Sequence, residues 1–396
     1  MKSASSNSQS PVSQSLPTIV FLDHTAMLGG GEIALLNLVS HLDRARFQLL
    51  VILSSPGPLE EKLREVNVET IVLPLSTSLV HTRKDHLTRS TPTRVRDALR
   101  IVGYSFKLAR LLKKRRASLL HTNSLKADIF GGIAGRLVRV PVLWHVRDRI
   151  ETDYLPAKAV RVFRWLARRL PHYVITNSQA TLDTLHLTQR ARVVHDGIAV
   201  AETAPEYRAV QPPKIGIVGR ISPWKGQHIF LEAAKTVQQQ FPEARFQIIG
   251  SAMFGEEEYE QKLHAQALKL DLGEQLEWLG FRGDVPQLID ELTILVHAST
   301  MGEPFGQVVI EGMVAGKPVI ATRGGGVPEI VRDGVSGVLV PMNDAPALSH
   351  AMLELLRNPA RMESLSSAGY ERVRDHFRIQ QTAEKVETVY DLMLQN

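Results

Sequence analysis

The stretch Glu303-Pro304-Phe305-Gly306-Gln307-Val308-Val309-Ile310-Glu311 holds two carboxylates eight positions apart, with a proline, a glycine and an apolar run between them. Pro304 fixes one backbone angle and Gly306 permits a tight turn, so Glu303 is expected on a loop and a helix from Gln307 onward. Glu311 then sits about one turn into that helix. The amides between the two acids lie at a helix N-terminus, where unpaired N–H groups and the helix dipole attract phosphate. The arrangement suits a ligand with hydroxyls at both ends and phosphates in the middle. A nucleotide-sugar has that outline.

Upstream, Gly219-Arg220-Ile221-Ser222-Pro223-Trp224-Lys225-Gly226 follows the apolar run Lys214-Ile215-Gly216-Ile217-Val218. The run reads as a buried strand ending in a turn, which puts two cations at a strand's carboxyl end, where open α/β sheets place their ligands. Downstream come Glu311-Gly312-Met313-Val314-Ala315-Gly316-Lys317-Pro318-Val319-Ile320-Ala321-Thr322 and Gly324-Gly325-Gly326-Val327-Pro328-Glu329-Ile330-Val331. In this order the segments resemble glycosyltransferase family 4, the retaining glycosyl transferases group 1. The resemblance runs from about residue 17 to the end and is most specific between Val218 and Gly337.

The resemblance implies a GT-B fold: two α/β, Rossmann-like, doubly wound parallel-sheet domains facing a cleft. It implies that Arg220 and Lys225 hold the diphosphate of a UDP- or GDP-sugar. Glu303 would read the sugar hydroxyls and Glu311 the ribose, with Phe305, Gly306, Gln307 and Val308 forming the phosphate-binding stretch between them. Gly30 and Gly31 would approach the donor phosphate across the cleft, and His145 would lie near donor sugar and acceptor. Glu303, His145, Arg220 and Lys225 are thus the expected catalytic residues. The acceptor would be lipid-linked, a saccharide or a small molecule, the last helix would cross back to the first domain, and no cofactor is implied.

Strand and helix signals alternate along the chain, which argues for parallel sheets. Strands are expected at 18–22, 48–53, 70–73, 118–122, 140–145 and 173–176, then at 214–218, 245–249, 276–279, 294–297, 318–321 and 337–340. The first helix is expected over Glu32 to Leu42 after the turn Gly29-Gly30-Gly31. Residues 1–16, rich in Ser and Gln and without an apolar segment, read as a disordered tail and no signal peptide. The expected domains are 17–205, acceptor-binding, and 206–380, donor-binding, with 381–396 as the returning helix.

The 396 residues, 44% of them hydrophobic, suffice for two cores. Absence of cysteine excludes disulfides and thiolate metal sites. Neither Asp-x-Asp nor His-Glu-x-x-His occurs, so no metal is expected and protein cations must neutralise the leaving diphosphate. Residues 1–200 carry 29 Lys and Arg against 15 Asp and Glu, a balance of +14, so this half seeks an anionic partner. Lys158, Arg161, Arg164 and Arg168 recur at helical spacing as a basic stripe suited to an anionic membrane surface. The expectation is a cytoplasmic protein, peripheral on the inner face of the membrane. No recognition motif for nucleic acid is present.

Two other readings compete. Gly29-Gly30-Gly31-Glu32-Ile33-Ala34 fits a relaxed dinucleotide fingerprint, as in an NAD-dependent oxidoreductase. The acid that should end the second strand is missing, because Leu49 to Leu53 runs into Ser54-Ser55-Pro56. A catalytically idle binding protein of the same fold is the second rival, and intact Arg220, Lys225, Glu303 and Glu311 argue against it. His121, also at a strand end, reads as structural. Ser178 reads as a helix cap, and His195-Asp196-Gly197 departs from the Asn-Gly pair usual in the family.

Overall fold

The computed structural model describes residues 16–75, 91–208, 210–253 and 255–395; segment 1–15 of the expected tail lies outside them. Among the described residues the first sheet has seven parallel strands: β1 (Thr18–Asp23), β2 (Gln48–Leu53), β3 (Glu69–Val72), β4 (Ala117–Thr122), β5 (Val142–Val146), β6 (Tyr173–Thr176) and β7 (Ala191–Val193). The second has six: β8 (Lys214–Val218), β9 (Arg245–Ile249), β10 (Leu276–Gly280), β11 (Ile294–His297), β12 (Val319–Thr322) and β13 (Val338–Val340). Their orders are β3-β2-β1-β4-β5-β6-β7 and β10-β9-β8-β11-β12-β13. Each reverses beside its first strand, between β1 and β4 and between β8 and β11, so each has a crevice at that point.

The expected doubly wound pair of sheets is therefore present. Strands covered on both faces must be apolar nearly throughout, and β2 shows it: Leu49 to Leu53 are all buried. The three-residue β7 was not anticipated, since so short an edge strand has no readable alternation.

Helices α1 (Gly30–His41), α2 (Pro58–Glu65), α3 (Thr91–Lys114), α4 (Leu125–Val138), α5 (Ala157–Ala167) and α6 (Gln179–Leu185) accompany the first sheet. Helices α7 (Gln227–Gln240), α8 (Glu257–Lys269), α9 (Val285–Asp290), α10 (Gln307–Val314), α11 (Val327–Ile330), α12 (Ala345–Arg357) and α13 (Pro359–His376) accompany the second, and α14 (Ile379–Leu394) follows. α1 starts two residues earlier than expected, with Gly29 as its cap. The reason is Glu32, whose carboxylate reaches back to accept the Gly29 N–H at 3.1 Å.

Alternate residues of β1 feed two cores. Val20 and Leu22 pack with Tyr104 and Leu108 of α3, Phe130 of α4 and Phe163 of α5, while Ile19 and Phe21 pack with α1, α2 and α14. α14 supplies Val386, Val389, Tyr390 and Met393 to that second cluster. Arg46 holds it from outside, pairing with Glu387 at 2.7 Å and Asp391 at 2.7 Å, and the other Glu387 oxygen accepts the Asp43 N–H at 2.8 Å.

The expected basic stripe on α5 divides, which is a correction. Arg164 turns inward and donates to the carbonyls of Thr184 at 2.7 Å and Ile150 at 2.9 Å and to Glu151 at 3.0 Å, because the end of α6 and the loop before α5 present those acceptors beneath it. Arg168 caps the helix and donates toward the His186 carbonyl. Lys158 and Arg161 stay at the surface beside Val162, 56% exposed, and Trp165, 53% exposed, with the Arg169 guanidinium 4.7 Å from the Trp165 ring. The solvent face is therefore mixed apolar and cationic.

Glu387→Ala removes one charged acceptor from both Arg46 and the Asp43 amide. It should lower unfolding free energy by about 1–3 kcal/mol in urea titration, with α14 protected less than the rest of the first domain in hydrogen exchange.

Candidate functional site

In the second domain the site is built on the carboxyl ends of β8 and β11. After β8 the chain runs through Gly219 and Arg220 into a 3-10 turn, Pro223–Lys225, and then Gly226 at φ +74°. A Cβ on Gly226 would stand 1.9 Å from the Ala298 carbonyl oxygen, so only glycine lets this loop close on β11. The Gln227 side chain fastens the loop by donating to the Arg220 carbonyl at 3.0 Å. Closure carries Lys225 to Glu303, with Nζ 2.6 Å from Oε1 and 4.3 Å from the Trp224 ring centre.

Glu303 is 6% exposed. Its Oε1 also accepts from Ser299 Oγ at 2.6 Å and lies 3.2 Å from His297 Nε2. Burial alone would raise this carboxyl, but the Lys225 charge and the His297 hydrogen bond outweigh it and hold it well below the usual carboxylate range. Gly306, at φ +120°, ends the loop and caps α10, which begins at Gln307 as expected. Glu311 is pushed up by burial, with the nearby Gln307 side-chain amide and the Lys225 charge acting against it. Lys225 thus acts on both carboxylates beside the first turn of a helix.

Phe305 points away from this cluster. Its ring is buried in the core near His195 and Phe377, each ring centre 5.9 Å away, so only its main chain faces the loop. Val308 is half-buried against the same core.

In the first domain a buried polar chain follows the carboxyl ends of β1, β4 and β5. Asn123 donates to Asp23 at 2.7 Å and to the Gly31 carbonyl at 3.1 Å, and accepts from Arg147 Nε at 2.9 Å. Arg147 also pairs with Asp196, the residue that departs from the family's Asn. Its remaining nitrogen lies 3.2 Å from His145 Nδ1, and that same Nδ1 lies 3.1 Å from His121 Nε2. One network therefore ties Gly31 to His145. Burial, with the Arg147 charge adding to it, pulls both histidines well below their ordinary value, so they are neutral. Beside Gly30 and Gly31, burial and the Asp23 charge push Glu32 up to about 8.

The two halves meet around the loop that bears Glu303. Arg149 donates to the Gly302 carbonyl at 3.1 Å, and Thr181 donates to the Pro304 carbonyl at 3.1 Å. Ser178 caps α6 as read from the sequence and also donates to the Pro304 carbonyl. From the second domain, Glu329 accepts the Gln179 and Ala180 N–H groups at 2.9 Å each and lies 2.9 Å from His195 Nε2.

Sequence reasoning did not find Asn123, Arg147, Trp224, His297, Ser299 or Tyr390. His297 and Ser299 stand at the end of β11, a position the switch-point rule could have flagged. The strand β2 runs into Ser54, whose hydroxyl bonds the Asp23 carbonyl and Tyr104, so no acid waits there for a dinucleotide ribose. Among the described residues no group of three or more His, Asp or Glu is placed to hold a metal ion.

Residues 202–372 match the family model "Glycosyl transferases group 1" and residues 28–202 match "Glycosyltransferase Family 4". The chain is 30% identical over 304 residues to a D-inositol 3-phosphate glycosyltransferase of Thermobispora bispora, covering 69% of this chain and 70% of that protein. It is 25% identical over 311 residues to the Escherichia coli UDP-Gal:alpha-D-GlcNAc-diphosphoundecaprenol alpha-1,3-galactosyltransferase, covering 73% of this chain and 79% of that one. With other curated relatives the match spans about half of their length, 55% and 50% in two cases. The crystal structure of Anabaena Alr3699/HepE in complex with UDP and glucose superposes with a TM-score of 0.82 at 26% identity, over 95% of this chain and 99% of that one.

Lys225→Ala leaves a buried carboxylate with only His297 and Ser299. Because Glu303 is depressed in the folded protein, the stability lost should be full at neutral pH, about 1–3 kcal/mol, and shrink as pH falls below about 4. Denaturant titrations of parent and variant at several pH values measure the difference.

Proposed function

The chain belongs to glycosyltransferase family 4, with the two-domain GT-B fold, and on that premise we propose that it moves a sugar from a UDP-sugar to a hydroxyl of a lipid-linked saccharide, with retention of configuration and without a metal. The observation that carries this reading is Lys225 paired with Glu303 at 2.6 Å on the loop that leads into α10, at the switch point of the second sheet. UDP is favoured over GDP because the structural neighbour at 26% identity holds UDP and glucose and the Escherichia coli relative is named for UDP-Gal. The same relative's name supports a lipid-linked acceptor.

In this proposal Arg220, Lys225 and the amides of Gly306, Gln307 and Val308 receive the diphosphate. As the bond from anomeric carbon to diphosphate oxygen breaks, negative charge grows on that oxygen, and fixed donors stabilise the transition state more than the ground state. The acceptor hydroxyl attacks from the same face, a new carbon–oxygen bond forms, and its proton passes to the departing diphosphate. Glu303 holds the sugar hydroxyls, Glu311 the ribose, and His145 a polar group of sugar or acceptor. Glycine at 30 and 31 fits a ligand's close approach. A Cβ at Gly30 would meet nothing within 4 Å and one at Gly31 only Arg147 at 3.8 Å, so packing does not demand glycine at either position.

The mixed face of the first domain supports membrane attachment. No helix among the described residues is long and apolar enough to cross a membrane. On the sheet face that α3 and α5 share, Leu99 is 67% and Phe106 52% exposed, besides Trp165 and its cations. Apolar side chains ringed by Lys and Arg suit an anionic membrane surface on the cytoplasmic side.

Calorimetry with UDP alone separates the glutamates. Glu311→Ala should weaken UDP roughly ten-fold or more through loss of charged hydrogen bonds, whereas Glu303→Ala, which frees Lys225, should not weaken UDP and should lose sugar transfer. Equal losses in the two variants, or a parent that neither transfers nor hydrolyses any UDP-sugar, would reject the roles; retained transfer in EDTA would support the metal-free step.

Replacing Lys158 and Arg161 by Gln and Trp165 by Ser should cut sedimentation with anionic vesicles several-fold at low salt, while UDP-sugar hydrolysis in solution persists. Unchanged sedimentation would assign the face to solvent.

A further inference from the structure

His145 Nε2 is fully buried and has no hydrogen-bond partner in the folded chain, although His145 stands near the carboxyl end of β5, where open α/β sheets place their ligands. The proton it carries follows from its neighbours. Burial pulls the Arg147 guanidinium down to about 9, against the pull of the Asp23 and Glu32 carboxylates, so it is charged at neutral pH and only donates. Its nitrogen 3.2 Å from His145 Nδ1 therefore requires a lone pair there. His121 Nε2, 3.1 Å from that same Nδ1, must then donate as well, which leaves His121 Nδ1 as an acceptor. Tyr390, arriving on α14, supplies the matching donor, its hydroxyl 2.6 Å from His121 Nδ1. Burial pushes that phenol well above its ordinary value, so it keeps its proton.

We propose that Tyr390 and His121 are positioning residues that, with Arg147, fix His145 as the neutral tautomer with its proton on Nε2, presenting one buried N–H to an oxygen of the bound substrate. The inference rests on the transferase reading for the identity of that oxygen, a sugar hydroxyl or a phosphate oxygen. The tautomer itself rests on the hydrogen-bond geometry together with the donor character of Arg147. Both nitrogens of His121 and Nδ1 of His145 have partners within the chain, so the one N–H left over is the group open to a ligand oxygen.

The test uses the full-length protein labelled with 15N-histidine. Two-bond correlation spectra between pH 6 and 8 should show His145 neutral, with a protonated Nε2 and a bare Nδ1, and His121 in the same form. Tyr390→Phe keeps the ring against Phe47, centres 5.5 Å apart, and removes only the hydroxyl. His121 should then sample both tautomers, and kcat/KM for transfer should fall roughly three- to ten-fold with UDP affinity unchanged. A proton on Nδ1 of His145 in the parent would overturn the proposal, as would a Tyr390→Phe variant with parental spectra and parental kcat/KM. Should that variant fail to fold, the parent spectra still decide the tautomer. A parent that transfers no sugar counts against the transferase reading, and the spectra then decide the His145 tautomer independently of it.

Discussion

A carboxylate sealed from water must be given partners or lose its charge. Glu303 keeps its charge, and much of the second domain's local geometry serves that end. The left-handed Gly226 folds the 3-10 turn onto β11 so that Lys225 arrives; β11 ends where His297 and Ser299 stand beneath the acid; Pro304 and Gly306 then turn the chain into α10. The cation that neutralises this acid is the one proposed to meet the diphosphate. Donor binding would thus exchange one anion on Lys225 for another, leaving Glu303 to His297, Ser299 and the sugar hydroxyls it is proposed to hold.

The same economy appears in how the domains touch. The loop bearing Glu303 offers its carbonyls at Gly302 and Pro304 to Arg149, Ser178 and Thr181, and Glu329 caps α6 from the opposite domain. These contacts are polar and local. Polar interfaces of this kind separate at modest cost, which suits a cleft that has to admit a large substrate and release a product.

Most of the fold was legible because buried parallel strands are apolar runs bounded by turns; the strands that follow Lys214 and Gln48 needed nothing else. The edge strand Ala191–Val193 was not, being too short to carry a period. In the site, Lys225, Glu303 and Glu311 could be read because the loop-to-helix chemistry around them is local. Arg164 was misread as a surface cation: helical spacing shows which side chains share a face, not which carbonyls of other segments wait beneath it. Asn123, Arg147 and Tyr390 act through contacts between distant segments, and Tyr390 reaches His121 across 269 positions. No local signal marks such a residue.

The returning helix has a consequence for the order of assembly. Ile19 and Phe21 are among the first described residues of the chain, yet the cluster that buries them is closed by Val389 and Met393. A ribosome that has finished the first domain's strands still holds back part of its core. The second domain, whose two clusters draw on residues between 198 and 377, has all its parts sooner. Until α14 emerges, the sheet face that α1 and α2 already cover lacks Val386, Val389, Tyr390 and Met393, so the first domain's core is the last part of the molecule to be supplied in full.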